Sequence, residues 1–247
     1  MAGHNKWSKI KHRKAVVDKR RGKVWTKVAK AIIVAAKNGG PDPTANLSLR
    51  YAMDEARYAN MPRETVERAI QKGAGGGDTS SYESTRYEGY APGGVAVIVD
   101  ALTDNRTRTV SLVREEFVRQ GGNLGASGCV AFLFQHRGQI IVDAKGKTED
   151  QVMEIAIDAG ALDVQPPPPG EDDDEPALWT ILTEPTQFDA VKQKIEKSGL
   201  AITGAELAWV PENTVAVAGE AADQLGELID ALEDLDDVQK VWTNAGG

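Results

Sequence analysis

The stretch Gly73-Ala74-Gly75-Gly76-Gly77-Asp78-Thr79-Ser80-Ser81 divides the chain into two regions of different periodicity. A run so rich in glycine and small polar residues has little to bury and much conformational freedom to lose, so it reads as a flexible linker. Before it, apolar residues recur every three to four positions. After it, β-branched runs alternate with helical stretches. The pattern predicts an α+β chain of three domains: an N-terminal helical domain and two α/β domains, the ferredoxin-like one inserted into the other.

In the first region Trp25, Val28, Ala29, Ile32 and Ala36 share one face of a helix from Lys23 to Lys37, while Lys23, Lys27 and Lys30 share another. Asn38-Gly39-Gly40-Pro41 ends it. A second helix is expected from Pro43 or Thr44 to Ala59, with Leu49, Ala52, Met53 and Ala56 inward. A third is expected from Pro62 to Gly73, with Glu64 and Arg68 as an i,i+4 surface pair. Residues 23–73 form the expected helical domain and residues 74–84 the linker. Residues 1–22 read as a basic arm. Trp7, Ile10 and Val17 share a helical sector with Lys14 and Arg21, so the segment has no clean apolar face and is expected to order on a partner or against the body.

Beyond the linker, Val95–Ala101 and Val130–Phe134 read as strands. A helix from Arg106 to Gln120 is expected between them, capped by Asp104 or Asn105 and closed by Gly121. Residues 137–204 follow the order βαββαβ, the split βαβ pattern of ferredoxin-like domains. A strand near Thr214–Val217, a helix from Ala221 to Leu235 and a strand Val238–Thr243 have no partners inside that unit. They are expected to complete the sheet begun earlier, so residues 85–136 and 205–247 form one discontinuous α/β domain around the insert.

Charge is as unevenly distributed as periodicity. The 247 residues carry a net −8, yet residues 1–72 hold 17 Lys+Arg against 6 Asp+Glu and the remaining 175 residues carry −19. A basic block of this density is the footprint of a surface that meets phosphates. The stretch is poor in serine, unlike a transit peptide, and its apolar run Ala31–Ala36 comes too late for a secretory signal and is too short for a membrane span. A cytoplasmic location and no membrane partner are the expectation.

Catalytic motifs are not apparent. No Gly-Lys-Ser/Thr follows the glycines of the linker, so it is no P-loop. Gly121-Gly122-Asn123-Leu124-Gly125-Ala126-Ser127-Gly128 could cradle an anion through backbone N–H groups, but it lacks the dinucleotide context and reads first as a tight turn. His4, His12 and His136 have no metal-ligand spacing. The single Cys129 excludes an internal disulfide and reads as a small buried residue. Glu171–Glu175, after Pro166–Pro169, reads as a solvated extended loop, and Glu233–Asp237 as a solvated helix end. No enzyme activity, metal or cofactor is expected.

The expected nucleic-acid contacts are therefore Lys6, Trp7, Lys9, Lys11, His12, Arg13, Lys14, Lys19 and Arg20 of the arm, with Lys23, Lys27 and Lys30 of the helix face. Trp7 could stack on a base or pack inward; the register of Trp25 favours packing. Arg106 and Arg108 begin a helix, where cations oppose the dipole, which hints at binding; the alternative is two solvated arginines.

Gly3-His4-Asn5-Lys6-Trp7 with Ile10-Lys11-His12-Arg13-Lys14 resembles the opening signature of the YebC/PmpR family of probable transcriptional regulatory proteins. Asn60-Met61-Pro62, Glu67-Arg68-Ala69-Ile70, Tyr87-Glu88-Gly89-Tyr90, Pro92-Gly93-Gly94-Val95-Ala96, Leu102-Thr103-Asp104-Asn105-Arg106 and Leu232-Glu233-Asp234-Leu235-Asp236-Asp237 resemble its later blocks, so the likeness spans essentially the whole chain. Departures are small: Asn5 where serine is common, Ala91 where glycine is common, and the proline run. The resemblance implies a three-domain fold and no catalysis. It implies a DNA-binding transcriptional regulator, or a ribosome-associated translation factor that binds ribosomal RNA and relieves stalling at proline-rich sequences; the family also includes the mitochondrial translational activator of cytochrome c oxidase. Nucleic acid is the expected partner, with the acidic α/β domains available to the ribosome or another protein. No dimer seam shows, so a monomer is expected.

Overall fold

The structure, a computed structural model, describes residues 14–75, 82–167 and 178–246, with side chains from Gly22 onward. Most of the basic arm, the centre of the linker and most of the proline and acidic loop lie outside these residues. The chain is α+β and falls into two compact units. One comprises residues 135–210, and the other is built from the chain before and after it.

The helical part of the larger unit comprises α1 (Lys14–Gly39), α2 (Leu47–Tyr58) and α3 (Arg63–Ala74). Helix α1 runs unbroken through Gly22, so no boundary separates the end of the expected arm from the helix face that follows. Val28, Ile32, Ala36, Leu49, Ala52, Ala56, Met61 and Ala69 form the core between the helices. Trp25 packs against it and donates its indole N–H to the Ala59 carbonyl at 3.0 Å, which settles its role as packing. Helix α2 starts later than Pro43 because Asp42 turns the chain, accepting from the Thr44 amide at 2.9 Å. Asn46 is the true cap. Its buried side chain accepts from Leu49 N–H and donates to the carbonyls of Ala35 and Gly40, tying the end of α1 to the start of α2. On α3 the ion pair is Arg63–Glu67 at 2.7 Å, while Arg68 turns to the Glu64 backbone carbonyl.

Helix α3 approaches α1 through a glycine. A Cβ at Gly73 would lie 2.4 Å from the Ile33 carbonyl oxygen and 2.8 Å from the Ala36 Cβ. Gly73→Ala must push the two helices apart and is expected to destabilise the protein by about 1–3 kcal/mol in urea denaturation, although alanine is the better helix former.

The α/β part of the same unit is a four-stranded sheet in the order β3-β1-β2-β9. Strands β1 (Glu83–Ala91) and β2 (Val95–Thr103) form an antiparallel hairpin, and β3 is Asn123–Leu124. The late strand β9 (Val238–Thr243) lies beside β2, with Val97 opposite Thr243. Helices α4 (Arg106–Arg119) and α7 (Glu220–Asp234) bury Val113, Phe117, Leu225, Leu228 and Leu232 against Val97, Val99 and Val241 of the sheet. Asn105 caps α4 by accepting from Arg108 N–H at 3.0 Å.

The segment Val130–Phe134 is not a strand. Ala131–Leu133 is a short 3₁₀ turn, and β4 begins at Phe134. The cause is Glu88 on β1. Its buried carboxylate accepts the N–H groups of Gly128, Val130 and Ala131 at 2.8–2.9 Å. Amides of an extended strand alternate in direction, so the N–H groups of Val130 and Ala131 cannot both converge on one carboxylate unless the segment curls. Burial pushes the Glu88 carboxyl upward, but these three N–H groups outweigh it and hold it below its ordinary value. Cys129, half-buried beside them, has its thiol pushed up by burial and then by the charge of Glu88, so it is not primed as a nucleophile.

The inserted unit contains β4 (Phe134–Asp143), α5 (Glu149–Ala159), β5 (Asp163–Gln165), β6 (Leu178–Thr183), α6 (Phe188–Lys197) and β7 (Ala201–Pro211). Its sheet order, β5-β6-β4-β7, is that of the ferredoxin-like fold. Thr148 and Gln151 close a capping box on α5. Strand β7 is longer than the expected Leu200–Thr203. The short pair β8 (Val215–Ala216) and β10 (Ala245–Gly246) completes the larger unit.

Candidate nucleic-acid interface

Lys23, Lys27 and Lys30 stand at i, i+4 and i+7 on α1, one face of the helix. All three meet the C-terminal end of α7. Lys23 lies 3.1 Å from the Asp234 carboxylate. Lys27 donates to the Glu233 backbone carbonyl. Lys30 donates to the Asp236 carbonyl at 3.0 Å and pairs with the Asp237 carboxylate at 3.1 Å, and its ammonium lies over the Tyr82 ring. The reason lies in α7. Its last turn contains no basic residue, although the last carbonyls and the negative end of the helix dipole attract cations. Helix α1 supplies those cations from elsewhere in the chain. The expected solvated end at Glu233–Asp237 is instead the counter-surface of the lysine face.

The contacts grade from wet to dry. The side chains of Lys23 and Asp234 are 49% and 54% exposed, whereas those of Lys30 and Asp237 are 13% and 9% exposed. Asp237 is a hub. It also accepts from Arg108 at 2.6 Å and from the hydroxyls of Thr109 at 2.8 Å and Thr103 at 3.3 Å. Burial raises its carboxyl, but the hydrogen bonds from Arg108, Thr109 and Lys30 prevail and hold it below the ordinary aspartate value. Arg108 bridges Asp237 and Asp104, the latter at 2.8 Å. Its side chain is 47% exposed and engaged by both carboxylates in this structure. Arg106 remains 64% exposed, 3.8 Å from the Glu83 carboxylate.

Of the other expected contacts, Lys6, Trp7, Lys9, Lys11, His12 and Arg13 lie outside the described residues. Lys14, Lys19 and Arg20 belong to the first turns of α1, continuous with its packed segment. Thr103, Thr109 and Asp237 were not anticipated. The one signal that pointed to Asp237 was the acidic run after a helix with no basic residue in its own last turn. Among the described residues no group of three His, Cys, Asp or Glu side chains could hold a metal ion, and no helix is long and apolar enough to cross a membrane.

Two family models account for this arrangement of a helical part and two further domains. The TACO1/YebC N-terminal domain matches residues 5–76, and the TACO1/YebC second and third domain matches residues 82–245. The chain belongs to the TACO1/YebC family. A TACO1/YebC relative from Bordetella petrii, called a probable transcriptional regulatory protein, is 51% identical over 243 residues, covering 98% of this chain and 97% of that protein. One of the same description from Polynucleobacter asymbioticus is 51% identical over 245 residues, 99% of each. The crystal structure of a conserved hypothetical protein from Aquifex aeolicus is similar with a TM-score of 0.85 at 49% identity, covering 98% of this chain and 96% of that one. The break between the two TACO1/YebC models falls in the glycine-rich segment that separates the two periodicities.

Proposed function

We propose that this TACO1/YebC protein is a non-enzymatic regulator of gene expression that binds nucleic acid through its basic N-terminal segment. The observation that carries the reading is the division of charge, +11 over residues 1–72 against −19 over the rest. Lys23, Lys27 and Lys30 are engaged by α7, so phosphate docking falls first to Lys6, Lys9, Lys11, Arg13, Lys14, Lys19 and Arg20, with Trp7 and His12 beside them. Transcriptional control is supported by the names of the relatives, probable transcriptional regulatory proteins, and DNA is the nucleic acid such control would engage. A ribosome-associated role on ribosomal RNA is the second reading, favoured by the absence of any base-reading helix-turn-helix signature in the sequence. The acidic α/β parts would face protein partners or repel wrong surfaces.

Crosslinking in cells followed by sequencing of the bound nucleic acid tests this. Promoter DNA is the expected recovery. Ribosomal RNA without promoter DNA would overturn the transcriptional reading and leave the translational one.

A further inference from the structure

We propose that the C-terminal end of α7 is a built-in competitor for phosphate on the lysine face of α1, so that nucleic-acid binding is autoinhibited and a polyanion releases the outer part of the contact. The inference rests on the nucleic-acid reading above and adds a mechanism to it.

Three structural observations carry it. First, what α7 presents is chemically a phosphate substitute. The Asp234 carboxylate and the carbonyls of Glu233 and Asp236 are anionic or dipolar oxygens aimed at three ammonium groups spaced one helical turn apart. A row of phosphates would present the same oxygens to the same lysines. Second, the contact is graded. The Lys23–Asp234 pair is half-exposed, where an ion pair is worth little and salt screens it. The Lys30–Asp237 pair is buried and bonded to Arg108 and Thr109, so it stays shut and serves as a pivot. Third, Lys19 and Arg20 stand one turn before Lys23 on the same side of the same helix. A nucleic acid seated there reaches Lys23 and then Lys27 by following that face, displacing Asp234 before it meets the buried pair.

The experiment measures anisotropy of a fluorescein-labelled 20-base-pair DNA duplex and, separately, of a labelled RNA hairpin, against the full chain over a series of salt concentrations. The variants are Asp234→Asn and Asp223→Asn. Both remove one negative charge from α7, but Asp223 lies in its first turn, about 16 Å away along the helix and beyond the screening length at ordinary salt. Freeing one lysine adds about one phosphate contact, so D234N is expected to tighten binding roughly threefold and to steepen the salt slope by about 0.7–0.9. D223N is expected to match the unaltered protein. Equal tightening by both variants would reduce the effect to net charge and overturn the proposal. So would an unaltered slope in D234N while the starting protein binds; that outcome leaves the nucleic-acid reading standing. If neither probe binds any of the three proteins, the nucleic-acid reading itself fails, and the proposal with it.

Discussion

Replacing Lys6, Lys9, Lys11, Arg13, Lys14 and Lys19 together with glutamine should lower nucleic-acid affinity by about a thousandfold at moderate salt and flatten the salt slope by about 4–5. Each lysine or arginine on a phosphate releases condensed counterions, and six such contacts account for a change of this size. Glutamine has nearly the helix propensity of lysine, so the part of α1 that begins at Lys14 is preserved. Among the described side chains the core contacts of α1 begin at Trp25 and Val28, and the melting temperature is expected to stay unchanged. Anisotropy titration of the duplex and hairpin checks the affinity, and the slope separates lost phosphate contacts from a general loss of fold. A variant that binds as before with an unchanged slope would show the arm to be idle and would move attention to the α/β domains as protein-interaction surfaces.

Asp237→Ala should destabilise the protein by about 3–5 kcal/mol in urea denaturation. The carboxylate is 9% exposed and is shared by Lys30, Arg108, Thr109 and Thr103. Its removal leaves the buried ammonium of Lys30 with backbone carbonyls and the Tyr82 ring but no counter-charge, and takes the acceptor from the Thr103 hydroxyl, while Thr109 keeps the Asn105 carbonyl at 3.1 Å. A loss below about 1 kcal/mol would mean that the network behaves as a surface ion pair. The pH dependence follows from the depressed carboxyl. Its contribution is present above the ordinary aspartate value and is lost as pH falls through the lower folded-state value. The unaltered protein should therefore lose stability more steeply than Asp237→Asn below about pH 4. Glu88 is depressed as well and is common to both proteins, so the difference between them isolates Asp237.

What could be read from the sequence was what local signals encode. Helix α4 begins after Asn105 and α7 runs from Glu220 to Asp234, within a residue of expectation, because caps, glycines and apolar spacing act over a few positions. Strand β9 was legible for the same reason. Strand β1 was not, since Glu-Ser-Thr-Arg-Tyr-Glu-Gly-Tyr-Ala alternates too weakly to announce itself and is a strand because β2 pairs along its whole length. The apolar run Val130–Phe134 misled because its conformation is decided by Glu88, some 40 positions earlier. The same limit governs the site. Lys27 and Lys30 read as phosphate-facing because helical spacing places them on one face, but spacing says nothing about what that face meets. Their partners lie 206 positions further on.

That separation has a temporal meaning. The inserted unit has all its strands between Phe134 and Pro211, and Glu212 N–H bonds back to the Leu133 carbonyl at 3.0 Å, so this unit can be finished while the chain is still being made. The surrounding sheet cannot, because β9 pairs with β2. On a ribosome adding about 5–20 residues per second, the 206 residues between Lys30 and Asp236 take roughly 10–40 s to emerge. For that interval in every round of translation, the lysine face of α1 is outside the exit tunnel with its intramolecular counterions still unwritten.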